Sequence, residues 1–95
     1  MDKLDKEIYN YDKVTKLLLS FKFLPQMLGF DYIRSAILFY LERGEDLSGI
    51  TTDLYPVLAK HYKTQVASVE RNIRRAVETA HDLGGFLSLN DFFDN

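Results

Sequence analysis

Along most of this chain apolar residues recur three and four positions apart, and strict two-residue alternation is scarce, which is the period of helices and not of strands. Val14, Leu17 and Leu18 mark a first helix from Tyr11 to Leu19. It should end ahead of Pro25, because proline clashes with a helical residue before it. Phe30, Ile33, Ile37, Leu38 and Leu41 keep the same spacing in a second helix that follows Gly29, with Arg43-Gly44 as its stop. GEDLSG reads as a loop. Thr51 is the expected N-cap of a third helix, Asp53 to Tyr62, and Pro56 within it predicts a kink or a tightened first turn.

The fourth segment is the most sharply sided. At about 100° per residue, Val66, Val69, Ile73, Ala76, Val77 and Ala80 fall within an arc of about 100°. Arg71, Arg74 and Ser68 lie opposite that arc, with Arg75 beside them. Thr64 is its expected cap and Gly84-Gly85 its end; Ser88 and Asp91 could cap one last turn carrying Leu89, Phe92 and Phe93. Residues 1–10, charged and tyrosine-rich, are expected to fray. The fold class that follows is all-α: one compact helical domain over 1–95, with a helix-turn-helix among four main helices and a short C-terminal one.

Composition narrows the function. With 95 residues and 46 % hydrophobic content there is material for one core. The chain has no cysteine, so disulfides and thiolate metal sites are out, which fits a reducing cytoplasm. No apolar run nears the ~20 residues that cross a bilayer, and the start MDKLDKEIYNYDK is too charged for a signal peptide. A cytoplasmic protein with no membrane partner is expected.

The formal net charge is −2, which argues against a protein that coats nucleic acid regardless of sequence. Its distribution says more than its sum. Between residues 57 and 81, Lys60, Lys63, Arg71, Arg74 and Arg75 face only Glu70 and Glu78.

A helix, a short turn without strong breakers and a second helix with arginines on its outer face make the outline of a helix-turn-helix. Arginine has a physical purpose there, since its planar fork can donate two hydrogen bonds to guanine O6 and N7. Glu70, Arg71 and Arg74 are the expected base readers on a recognition helix at about 65–83, where glutamate can accept from cytosine N4 or hold an arginine. Lys60, His61, Lys63, Thr64, Gln65, Ser68 and Arg75 are assigned to phosphates. The expected partner is double-stranded DNA.

Other chemistries lack a constellation. His61 and His81 stand twenty residues apart without a nearby carboxylate pair. The serines have no glycine-rich elbow or histidine partner, and the glycines form no phosphate loop. No catalytic residue, metal ligand or cofactor is assigned. Phe21, Phe23, Phe30, Tyr32, Phe39 and Tyr40 have helical spacing without interleaved arginines, so core packing is preferred over a stacking platform for single strands. Phe86, Leu87, Phe92 and Phe93 either fold back on the core or form a partner surface.

Three segments, GFDYIRSAI, SGITTDLYPVLAKHYKT and VERNIRRAVETA, together resemble the C-terminal DNA-binding domain of the sporulation-initiation response regulators of endospore-forming bacteria, across roughly Val14 to Gly85. The resemblance implies an all-helical effector domain that binds a short asymmetric promoter box, often as tandem copies, with the residues matching Glu70, Arg71 and Arg74 approaching base edges. Where that family commonly has an arginine just before VER, Ser68 stands here, which implies one contact fewer. Read as a complete chain, the sequence has no phosphorylatable receiver and a shortened tail, so receiver control is not expected and activation is disfavoured, while repression and competition stay open. A second reading is a protein-interaction module that pairs with or antagonises a full-length regulator, or self-associates, without effective DNA binding.

Overall fold

In the computed structural model, residues 2–43 and 50–86 are described, except for the side chains of Arg43 and residues 50–53. These residues form four helices and no strand: α1 (Lys3–Ser20), α2 (Leu28–Arg43), α3 (Ile50–His61) and α4 (Val66–Asp82). The expected short helix after Ser88 lies outside the described residues, as does Gly44 of the Arg43-Gly44 stop.

Each helix end has a local cause. α1 begins eight residues ahead of the expected Tyr11, because the Asp2 side chain accepts a hydrogen bond from the Asp5 amide at 2.9 Å and so satisfies one of the free N–H groups of the first turn. The segment expected to fray is therefore helical from Lys3. At its other end the Phe23 amide donates to the Leu18 carbonyl and the Lys22 amide to that of Leu19, both at 3.0 Å, with Lys22 at φ 69°. That is a Schellman closure. α4 ends the same way, with Gly84 at φ 85°, its amide on the His81 carbonyl and the Gly85 amide on that of Ala80, both at 2.9 Å.

α3 starts at Ile50, so Thr51 is inside the helix and is not its cap. Pro56 falls seven residues in, beyond the first turn, where it removes one helical hydrogen bond.

The core is built around α2. Phe30 and Tyr32 of α2 are buried with Val14 and Leu18 of α1, Leu58 and Ala59 of α3, and Val69, Ile73, Ala76, Val77 and Ala80 of α4. α2 packs against all three other helices, and α3 against α4. The α2–α4 crossing is close because Gly29 has no Cβ: one there would overlap the Asn72 carbonyl and sit 2.6 Å from the Ala76 methyl. Five residues expected on the apolar side are on the outside: Leu17, Phe21, Tyr40, Leu41 and Val66, the first residue of α4, are between 38 % and 51 % exposed.

Polar contacts tie the helices at the edges. Tyr62 packs at a tilt against Tyr32 with ring centroids 4.8 Å apart, and its hydroxyl lies 2.5 Å from Ser35 Oγ and donates to the Asp31 carbonyl at 3.3 Å. Arg34 bonds Asp31 at 3.0 Å and Thr15 at 3.1 Å, joining α2 to α1. Among the described residues no polar or charged residue is fully buried and no buried side-chain polar atom lacks a partner, so the desolvation of these groups is offset by hydrogen bonds. No described helix is long and apolar enough to cross a membrane.

Candidate nucleic-acid interface

The α3–α4 connection is only four residues long, and its shape comes from backbone hydrogen bonding. The Thr64 amide donates to the Ala59 carbonyl at 2.9 Å and the Lys63 amide to that of Lys60 at 3.3 Å, with Lys63 at φ 55°. This is a second Schellman closure with lysine where glycine is usual. It explains how the chain reverses without a breaker residue. It also corrects the expected cap: Thr64 is spent on closing α3, and the chain turns helical only at Val66. Gln65 is the N-cap, with no side-chain cap bond, its carbonyl taking the Ser68 and Val69 amides at 3.0 and 3.1 Å. The first turn of α4 has no acidic residue, which leaves the positive end of the helix dipole open to an anion.

α4 buries Val69, Ile73, Ala76, Val77 and Ala80, so its opposite side is forced outward. Glu70, Arg71, Arg74 and Arg75 are exposed there and line one shallow depression with Ala67 and Glu78. Arg74 Nη2 lies 3.9 Å from Glu70 Oε1, and both side chains are half-exposed, a helical i, i+4 pair of small energetic weight. The three expected readers and Arg75 thus share one surface.

The remaining residues spread from the turn toward this surface. Lys60 and Lys63 are exposed and Thr64 is half-buried. The His61 ring lies perpendicular to those of Phe39 of α2 and Tyr62, with centroids 5.8 and 4.8 Å apart. Lys60 also occupies the last turn of α3, where its positive charge complements the helix dipole. Ser68 is half-buried, and both its carbonyl and its hydroxyl accept from Asn72 Nδ2, at 2.8 and 3.3 Å. Its hydroxyl keeps a lone pair and its proton for a further partner.

Two residues of the surface escaped the sequence reading. Asn72 anchors Ser68 and, through its carbonyl, meets Gly29; it sits inside VERNIRR, but asparagine in mid-helix carries no distinctive signal. Tyr55 of α3 is half-buried against the core. Burial raises its phenol pKa above the usual 10.0, with the Glu70 carboxylate adding to the rise and the Arg74 guanidinium opposing it. Tyr55 therefore stays a neutral hydroxyl within the electrostatic reach of Glu70 and Arg74. Its place in LYP was the available hint.

Among the described residues no group of three or more metal-ligating side chains is assembled. Residues 14–95 match the family described as Sporulation initiation factor Spo0A C terminal. The chain belongs to that family. Spo0A C-terminal domains are DNA-binding effector domains of transcription regulation in sporulation and not an enzyme family. The match takes in the α3–turn–α4 unit whole and begins at Val14, so the first turns of α1 lie ahead of the shared domain.

Proposed function

We propose that the domain recognises a specific double-stranded DNA box by laying α4 in the major groove. Glu70, Arg71 and Arg74 read base edges, while Lys60, His61, Lys63, Thr64, Gln65, Ser68 and Arg75 hold the backbone. The observation that carries this reading is the outward arginine face of α4, fixed by the five buried residues behind it. The loose Glu70–Arg74 pair, at 3.9 Å, is weak enough to be exchanged for base contacts.

The uncapped start of α4 supports the same pose, since its free N–H groups can meet a phosphate as the helix enters the groove. The net charge of −2 adds a requirement: binding must come from local complementarity, because the whole molecule does not attract DNA.

The test is a fluorescence titration at fixed salt with a box selected from a random DNA pool and with its scrambled counterpart. Arg71→Ala and Arg74→Ala should each weaken binding to the selected box by ~1–3 kcal/mol and relax preference at one base position. Equal affinity of the unaltered domain for both duplexes would exclude the proposal.

A further inference from the structure

Ahead of the shared domain, α1 carries an apolar line of its own. Leu4, Ile8 and Tyr11 follow at spacings of four and three, and the line runs on through Thr15 to Leu18, so all five lie on one helix face. Its two ends differ sharply. Leu18 is buried in the core, whereas Leu4 and Ile8 are 63 % and 54 % exposed.

Arg34 marks the boundary between them, with its guanidinium 4.2 Å from the centre of the Tyr11 ring and its Nη1 bonded to Thr15. Beyond Arg34 a groove of about 420 Å³ opens between α1 and α2, with Tyr11, Leu38, Phe39 and Leu41 among its lining.

Charge selects the occupant. On the helical projection Asp5 and Asp12 flank the Leu4–Ile8–Tyr11 line on one side and Glu7 on the other, and Glu42 lines the groove from α2. Lys3 and Lys6 also line the groove, farther round α1 from the apolar line. Two copies of this helix laid face to face would set acid against acid at every flanking position, which disfavours self-pairing.

We infer that the exposed end of α1, with the adjoining groove, is a docking surface for a basic amphipathic helix of another protein. Its apolar residues would cover Leu4, Ile8 and Leu41, and its lysines or arginines would meet Asp5, Glu7 and Asp12. The arginines of α4 turn away from α2, on which α1 packs, so the surface is independent of the DNA-facing side.

The probe is a labelled helical peptide of about five turns with leucine at its a and d positions and lysine at e and g; the control has glutamate at e and g. The full chain should bind the lysine peptide at least about tenfold more tightly than the control, with affinity falling as salt rises. Amide shift changes should collect at residues 4–11 and 38–42, and DNA affinity should not move.

Leu4→Gln/Ile8→Gln should abolish peptide binding without loss of helical circular dichroism, because both side chains are exposed. Glu7→Lys/Asp12→Lys should reverse the preference between the two peptides. Absence of binding, equal binding of both peptides, shift changes on α3 and α4 instead, or a dimer that Leu4→Gln/Ile8→Gln dissolves would each overturn the inference.

Discussion

Two lysines occupy backbone conformations that L-residues avoid. Lys22 and Lys63 are the left-handed residues that close α1 and α3, at φ 69° and 55°, while α4 uses Gly84 for the same turn. A Cβ in that region costs roughly 1 kcal/mol, so Lys22→Gly and Lys63→Gly should each raise stability by ~0.5–1 kcal/mol, read from urea midpoints. The two replacements separate stability from binding. Lys63→Gly should weaken binding to every DNA sequence and lower the salt slope by about one, whereas Lys22→Gly should leave DNA affinity unchanged.

At this scale the sequence is only partly legible. The shortness of the 62–65 turn could be read, because the periodicity of α3 and α4 nearly abuts. Its geometry could not, since a lysine in a left-handed conformation looks like any other lysine. The misplaced cap at Thr64 has the same origin: a hydroxyl residue near a helix start is a common signal, but the backbone closure of α3 takes its amide and the next helix begins only at Val66.

Between elements, one position controls the α2–α4 crossing. Gly29 was read as a boundary and lies inside the first turn of α2, against Asn72 and Ala76. Gly29→Ala must push the helices apart and should cost ~1–3 kcal/mol in chemical denaturation, well beyond the gain a helical alanine brings. Ala76 on the facing arc was the complementary mark, but pairing two small residues across helices needs the fold first.

Tyr55 couples α3 to Glu70 and Arg74 of α4 in a way that pH can reveal. Its phenol is raised above 10.0, chiefly by burial and then by Glu70, so the folded state holds this proton more tightly than the unfolded one. Its contribution is complete below the unfolded pKa and is lost as pH rises through the folded value. Above about pH 10, urea midpoints of the wild type should therefore fall more steeply than those of Tyr55→Phe.

Over the whole molecule, stability is distributed unevenly along α1. Its second half is locked by Val14 and Leu18 in the core and by Arg34, while Leu4, Ile8 and Tyr9 are more than half exposed. Native-state hydrogen exchange should show amides of residues 7–11 opening at lower free energy than those of residues 70–80, whose helix buries one face along its length. Equal protection would mean that the early turns of α1 are covered in solution.

The all-α class and the helix order were legible because four amphipathic segments impose one period each; the start of α1 was not, since Asp2 and Asp5 read as part of a charged run. The outward position of Glu70, Arg71 and Arg74 was legible for the same reason as the fold, one strongly sided helix.

The hydrogen-bonded reversal at Lys63 has a thermodynamic corollary. Because the angle between α3 and α4 is held by two main-chain bonds and by the packing of α3 on α4, the domain meets its ligand with that angle already chosen. Complex formation then buries only the surface at the contact, without the large negative heat capacity change of coupled folding.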